Sequence, residues 1–125
     1  MIIFHHEAGD CSTGNCPQGF HYYFQYSVET PFNFQNESEL QDHTKSCVLD
    51  RGISGTKDFY NVNNFVTKVL PSEEITKTVN LKAFLEEHLF QCMIIAEMGI
   101  NLATVDFWSI GDLLEVVQEY NIQIA

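Results

Sequence analysis

The segment from Leu81 to Ala96 carries the longest regular apolar pattern in the chain, and the fold must be built around it. Apolar residues recur there at the three- and four-residue spacing of one helix face. The stripe consists of Leu81, Phe84, Leu85, His88, Leu89, Cys92, Ile95 and Ala96, and is widened by Phe90, Met93 and Ile94. This width predicts that the C-terminal half of the helix is enclosed on most sides. Asn80 is the predicted N-cap, and Gly99 marks the predicted end.

Two further segments have strand-like patterns. Residues 20–28, FHYYFQYSV, alternate apolar and polar side chains with the period of two that a half-buried strand shows. Residues 2–6, IIFHH, fit a second short strand, and the polar stretch 7–19 between them predicts a loop. The two strands are therefore expected to form a hairpin. Residues 52–61 are predicted as a loop or an irregular strand, and residues 62–70 fit either a strand or a short helix.

Two more helices complete the predicted elements. Ser38 is a suitable N-cap for a helix of about 39–50, and Ser109 begins the last helix, with Asp112 close to capping-box spacing. A short closing strand is predicted at 122–124. Together the elements indicate an α+β fold: a largely antiparallel aromatic-rich sheet with two or three helices packed on one face. A chain of 125 residues, 45% hydrophobic, fits a single domain over 1–125.

The four cysteines, Cys11, Cys16, Cys47 and Cys92, are expected to be reduced thiols. The core is large enough to fold without cross-links, and the N-terminal MIIF has no basic flank of the kind that secretory signals carry. No apolar run approaches the roughly 18 residues of a membrane span. The sequence therefore predicts a cytoplasmic protein, with Cys92 and Cys47 in the core.

Charge is the feature that bears most on function. Seventeen acidic residues face six basic ones, and the formal net charge is -11. All six basic residues lie between positions 45 and 82, so both flanking regions carry acids alone. Nucleic acids and anionic membranes would be repelled, which argues against both as partners. A basic protein partner is favoured, because opposite fields accelerate association.

The stretch HHEAGDCSTGNC at 5–16 is the first candidate for chemistry. A zinc site is the first interpretation: its ligands would be one of the two adjacent histidines, Cys11, Cys16 and, as the fourth, His21 or an acidic residue, with His21 preferred. A Cys11–Cys16 disulfide is the second interpretation, and a solvated loop with incidental thiols is the third and favoured one. No metal ligand and no cofactor is therefore assigned.

A second stretch, DRGISGT at 50–56, resembles the D-x-G-I-S-G-T segment that follows the catalytic segment of serine recombinases. That resemblance implies a DNA-cutting serine nucleophile, but the Tyr-x-Arg-Val-Ser pattern that supplies it is absent. The stretch is interpreted as a glycine-rich turn in which Gly52 and Gly55 allow positive φ. G-x-S-x-G, Walker, G-x-G-x-x-G and H-E-x-x-H patterns are also missing, so no catalytic residue is assigned and the chain is not expected to be an enzyme.

The acidic residues of the last two helices form the predicted partner-binding site. Those of the last helix are spaced i, i+3 and i+7, which places them along one stripe opposite its apolar face. With no Lys or Arg nearby in sequence, these acids are expected to be unneutralised. The predicted site comprises Glu86, Glu87, Glu97, Asp112, Glu115 and Glu119.

In size, acidity and lack of catalytic motifs the chain resembles bacterial immunity proteins that neutralise nuclease toxins. The resemblance implies an acidic inhibitor that occludes a basic nuclease, anchored by exposed aromatic residues among Tyr22, Tyr23, Phe32, Phe34 and Trp108. A small His- or metal-dependent enzyme using the N-terminal hairpin, and a structural subunit of a larger assembly, are the two alternatives. The sequence leaves the oligomeric state open.

Overall fold

The computed structural model describes residues 3–6, 11, 15–67 and 70–124. Short strands and helices alternate along the chain. In order they are β1 (Ile3–His5), β2 (Phe20–Tyr22), α1 (Tyr23–Tyr26), β3 (Ser27–Glu29), α2 (Glu37–Gln41), α3 (His43–Ser46), β4 (Phe59–Asn64), α4 (Glu73–Val79), α5 (Lys82–Ala96), β5 (Leu102–Val105) and α6 (Leu113–Ile124). None of the helices in this part of the chain is long and apolar enough to cross a membrane.

All strand pairs named here are parallel, so the predicted antiparallel sheet is wrong. β3, β4 and β5 form a three-stranded sheet in that order, with Val28 opposite Tyr60 and Val62 opposite Ala103. β1 pairs with β2, also in parallel, so the predicted N-terminal hairpin is absent as well. Helices lie between β3 and β4 and between β4 and β5, and such long crossovers return the chain to the same end of the sheet. The mixture of strands and helices remains as predicted.

The predicted strand 20–28 is interrupted by the helical turn α1. A glycine-rich loop lies directly against this turn, and the Thr56 amide donates to the Gln25 carbonyl at 2.8 Å. A Cβ at Gly55 would come within 2.4 Å of the same carbonyl oxygen, and one at Gly52 within 1.9 Å of the Ser27 oxygen. Gly52 has a φ of +80°, as predicted, whereas Gly55 is needed for close approach only. DRGISGT is thus the loop that shapes the turn.

The main core lies between the sheet and the inner face of α5. Leu85, His88, Leu89 and Cys92 of that helix are buried, which confirms the middle of the predicted stripe, whereas its ends at Leu81 and Ile95 are exposed. Leu85, Leu89 and Cys92 pack with Val28, Cys47, Tyr60, Val62 and Val116. Burial raises the pKa of Tyr60 to about 12.

Two disulfides, Cys11–Cys16 and Cys47–Cys92, correct the prediction of reduced thiols. The second one connects the residue after α3 to α5, 45 positions apart in the chain. Both of its cysteines are fully buried, as predicted.

The helical boundaries also differ from the predictions. The helix predicted over 39–50 consists of α2 and α3, which are separated at Asp42. Its N-cap is Asn36, whose Oδ1 accepts from the Glu39 amide at 3.0 Å, not Ser38. The pattern of α4 was not recognised, and the predicted closing strand 122–124 is the end of α6.

Asn80 does not cap α5; it connects the α4–α5 junction to the loop before α6. Its Nδ2 donates to the carbonyls of Asp106 and Ile110 at 3.0 and 3.1 Å, and its own carbonyl accepts from the Asp112 amide at 2.8 Å. Gly111 makes this approach feasible, because it has a φ of +87° and a Cβ there would lie 2.4 Å from the Asn80 oxygen. The junction fixes where α6 starts relative to α5.

Candidate functional site

A groove runs between the outer surfaces of α5 and α6, with a volume of about 620 Å³. Apolar and aromatic side chains form its floor, and carboxylates stand among them. The lining consists of Leu89, Phe90, Met93, Val116 and Tyr120, with Glu86, Glu87, Glu119, Gln91 and Gln123. We call this surface the α5–α6 groove. It contains three of the six predicted partner-binding residues.

The outer face of α5 is apolar and exposed, so the predicted enclosure of its C-terminal half is wrong. Phe90 is 55% exposed and Ile94 52%. Both residues follow Glu86 at helical spacing, which places a carboxylate, an aromatic ring and an aliphatic side chain along one line. Exposed apolar surface of this kind, bordered by polar groups, is typical of binding surfaces.

Tyr120 holds α6 against the rest of the molecule at the bottom of the groove. Its hydroxyl accepts from the Ile100 amide at 3.0 Å and lies 3.8 Å from the Met93 sulfur. A smaller cavity of about 150 Å³ lies on the β5 side of the same tyrosine. The C-terminal half of α6 therefore has open space on two sides.

Lys82 neutralises part of the predicted acidic stripe. Its ammonium lies 2.7 Å from Glu115, 2.5 Å from Glu119 and 3.9 Å from Glu86. The hydrogen bonds to Glu115 and Glu119 raise the pKa of Lys82, and the same contact lowers the pKa of Glu119. The expectation of unneutralised acids is thus wrong for these residues. Three carboxylates still face one ammonium, so the cluster keeps a negative charge.

The other predicted partner-binding residues, Glu87, Asp112 and Glu97, lie in three different structural settings. Glu87 lines the groove and has no ion-pair partner among residues 3–6, 11, 15–67 and 70–124. The Asp112 carboxylate accepts from the Lys82 amide at 2.8 Å, so it satisfies the first turn of α5. Glu97 ends α5 in the left-handed conformation, with a φ of 54°. Asp112 therefore has a structural role that sequence spacing did not indicate.

The predicted aromatic anchors do not form one surface. Phe34 is buried in a second core cluster with Leu40, Val66 and Val79. The Arg51 guanidinium lies 4.2 Å from the centroid of Phe32. Trp108, by contrast, is 64% exposed in the loop before α6.

The N-terminal stretch does not offer the predicted zinc ligands in this state. Cys11 and Cys16 are bonded to each other, and the disulfide interpretation applies instead. His21 packs against Phe4 and Tyr26, with ring centroids 6.1 and 5.5 Å away. The remainder of the stretch, residues 7–10 and 12–14, lies outside the described residues, as does the side chain of His5.

An ion pair between a buried glutamate and a partly exposed arginine connects the polar side of the sheet, and sequence reasoning missed it. Arg51 Nε donates to Glu29 at 2.5 Å, and Asn61 Nδ2 donates to the other Glu29 oxygen at 3.3 Å. Thr104 Oγ1 donates to Asn61 Oδ1 at 2.9 Å, which extends the network across all three strands. The only sequence signal of this polar network was the NVNN run at 61–64, which is polar although the surrounding stretch fits a strand.

A second missed feature is a cluster of sulfur and nitrogen atoms beneath α5. Cys47 Sγ, Cys92 Sγ and a ring nitrogen of His88 all lie within 4.8 Å of one another, and the three residues are buried. Burial lowers the pKa of His88 to about 4, and the His43 ring stacked on it at 5.6 Å adds to the shift. The sequence signal was the i, i+4 spacing of His88 and Cys92, which places both on one helix face.

Comparisons with protein-family models, with curated proteins and with solved structures found no match for this chain. The function is therefore argued from the geometry and charge of these surfaces.

Proposed function

We propose that the protein is an acidic binding domain whose α5–α6 groove receives a basic, amphipathic segment of a protein partner. The observation that supports the proposal is the groove itself. It combines an exposed apolar floor with carboxylates, and no Lys or Arg is among its lining residues.

The groove is chemically complementary to an amphipathic segment of a partner. Apolar side chains of the partner would lie against Phe90, Met93 and Tyr120, where burial supplies most of the affinity. Lys or Arg side chains of the same segment would lie next to Glu86 and Glu87. The net charge of -11 would accelerate the encounter, whereas desolvated apolar contacts would slow dissociation.

A second copy of this chain is a poorer occupant of the groove. Two such faces would bring Glu86, Glu87 and Glu119 of each copy together, and like charges at an interface oppose association. A basic partner meets no such repulsion. Sedimentation of the protein alone should accordingly show a monomer at low ionic strength.

The first experiment compares two variants with the same change in net charge. Glu86→Gln/Glu87→Gln alters the groove. Glu73→Gln/Glu74→Gln alters two exposed glutamates on α4 that are neighbours in sequence and do not line the groove. Proteins captured from the source cells are quantified for both variants and for the wild type. The captured basic protein is then purified and titrated against each variant. The groove variant should bind it about tenfold or more weakly at low salt, with the α4 variant close to wild type.

A second pair of variants tests the apolar part of the groove. Phe90→Ala should weaken binding of the purified partner about tenfold, because a central aromatic contact is lost. Leu70→Ala removes an exposed apolar side chain outside the groove and should leave affinity unchanged. If Glu73→Gln/Glu74→Gln on α4 and Glu86→Gln/Glu87→Gln in the groove weaken partner binding equally, the general negative charge of the protein, and not the groove, binds the partner. Unchanged affinity in both groove variants would place the interface elsewhere.

The narrower form of the proposal is that the partner is a nuclease toxin and that this protein is its immunity protein. Its support is the acidity of the chain, since a nuclease holds phosphate on a basic surface that carboxylates can occupy. If it is correct, an equimolar amount of wild-type protein abolishes the nuclease activity of the purified partner, and Glu86→Gln/Glu87→Gln requires an excess. A partner without nuclease activity would refute this narrower form and leave the binding function standing.

A further inference from the structure

The hydrogen bonds of Asn64 determine which nitrogen of His88 carries the proton. Asn64 Nδ2 donates to the Val79 carbonyl at 2.9 Å, so Oδ1 is the atom that faces His88. His88 Nδ1 lies 2.8 Å from this oxygen and must donate to it. The neutral ring therefore has its lone pair on Nε2, which is fully buried and has no hydrogen-bond partner.

This arrangement is the one found at histidines that bind metal ions. Such a histidine donates its other ring N–H to a fixed acceptor, which sets the tautomer and the orientation of the ring. Here the acceptor is Asn64 Oδ1, and one ring nitrogen of His88 lies within 4.8 Å of Cys47 Sγ and Cys92 Sγ. A tetrahedral zinc site needs these donor atoms about 3.5–3.8 Å apart, given Zn–S and Zn–N bonds of about 2.3 and 2.0 Å.

We infer that reduction of the Cys47–Cys92 disulfide converts this cluster into a zinc-type metal site with Cys47 Sγ, Cys92 Sγ and His88 Nε2 as ligands. Reduction breaks the S–S bond, and a dithiol supplies two electrons and two protons while becoming a disulfide itself. The metal ion then displaces the two thiol protons to solvent. The product carries two thiolates and one divalent cation, so the buried site is neutral.

The surroundings fit a thiolate site of this kind. Ser46 Oγ lies 3.9 Å from Cys47 Sγ, within the range in which a hydroxyl donates to a thiolate. The ring of His43 stacks on His88 with centroids 5.6 Å apart and is only partly buried. Its ring nitrogens are not part of the Cys47–His88–Cys92 cluster, so a solvent molecule takes the fourth tetrahedral position.

The test uses cobalt(II) as a spectroscopic substitute for zinc. The full chain is reduced with a phosphine in denaturant, refolded without oxygen and titrated with cobalt. One equivalent should bind with sulfur-to-cobalt charge-transfer absorption and the intense visible bands of a tetrahedral site. The oxidised protein should show neither, because carboxylates on the surface give no sulfur band.

Matched cysteine pairs identify the ligands. Cys11→Ala/Cys16→Ala should keep the signal, and Cys47→Ala/Cys92→Ala should lose it. His88→Gln should weaken cobalt binding more than tenfold, and Asn64→Ala about 10- to 100-fold through loss of ring orientation. His43→Ala should keep both the sulfur band and the visible bands, because His43 is outside the ligand cluster.

Two results would overturn the inference. One is a reduced wild-type chain that is folded by circular dichroism and gives no sulfur band with cobalt. The other is a band that survives Cys47→Ala/Cys92→Ala and disappears in Cys11→Ala/Cys16→Ala. If the variants of the buried pair do not fold, the Cys11→Ala/Cys16→Ala chain decides instead, because it keeps only the buried pair: zinc should raise the Tm of its reduced form and leave that of its oxidised form unchanged.

Discussion

Reduction of the Cys47–Cys92 disulfide is expected to lower the free energy of unfolding by about 4 kcal/mol. The disulfide closes a segment of 45 residues, and the entropy that this removes from the unfolded chain is about 13 cal/mol/K. At 25 °C that amounts to about 4 kcal/mol, or a fall of about 15 °C in Tm for a chain of this length. The folded packing changes little, since both sulfur atoms stay in the core.

The measurement isolates this disulfide in a Cys11→Ala/Cys16→Ala background. Urea unfolding is followed by circular dichroism with and without a phosphine reductant. A chelator is present in both, because a metal bound by the reduced cysteines would restore stability. The difference between the two extrapolated free energies is the contribution of the single remaining cross-link.

The N-terminal disulfide supplies the matched control. Cys11 and Cys16 are only 5 positions apart, so the same relation gives about 2 kcal/mol for its reduction in a Cys47→Ala/Cys92→Ala background. The long loop should therefore contribute about twice as much as the short one. A loss below about 1 kcal/mol for Cys47–Cys92, or a larger loss for Cys11–Cys16, would refute the chain-entropy reasoning.

Three further predictions concern the backbone, the acidic cluster and pH. Gly19→Ala should lower the free energy of unfolding by ~1 kcal/mol in urea unfolding, and Gly111→Ala should lower it by well over that amount. Both glycines have a φ of +87°, but only a Cβ at Gly111 would meet neighbouring atoms. Lys82→Met should raise the pKa of Glu119 in an NMR titration, since it removes the ammonium that lowers it; an unchanged pKa would contradict the ion pair. His88 has a pKa of about 4 when folded and about 6.5 when unfolded, so the unfolded chain takes up the proton first as pH falls. Oxidised, metal-free protein should lose about 2 kcal/mol between pH 7 and pH 5, and His88→Gln should remove that dependence.

The inner face of α5 could be predicted from sequence because its information is local. Leu85, His88, Leu89 and Cys92 repeat with helical spacing over two turns, and burial follows from that period alone. Whether the strands of the sheet run parallel or antiparallel could not be predicted in the same way. Whether β3 pairs with β4 in parallel depends on the crossover between them, which the short strand pattern does not encode.

The interrupted strand at 20–28 shows how a correct local pattern can mislead. Its alternation fits a strand, yet α1 lies in its middle, and the loop at Gly55 packs against the Gln25 carbonyl of that turn. This contact comes from some thirty residues away in sequence. The pattern of residues 20–28 alone therefore cannot predict this contact.

The arrangement of the acidic residues could be predicted only within each helix. Helical spacing placed Glu86 and Glu87 on the outer surface of one helix and Glu119 on a stripe of the next, but it did not indicate that all three line one groove. It missed Lys82, whose contacts with Glu115 and Glu119 span 33 and 37 positions. Pairing rules within a helix consider neighbours three or four residues apart, and a bridge between two helices lies beyond them.

The two proposals can be tested separately because they use opposite faces of α5. His88 and Cys92 point into the core, whereas Phe90 and Ile94 are exposed on the outer face. A change at Phe90 alters the groove without touching the ligands, and a change at His88 leaves the groove lining intact. The Cys47–Cys92 bond nevertheless anchors α5 to the residue after α3, so its reduction frees the helix at one point. If the groove depends on that anchor, partner affinity falls on reduction and returns when zinc holds Cys47 and Cys92 together again; if it does not, affinity is the same in all three states.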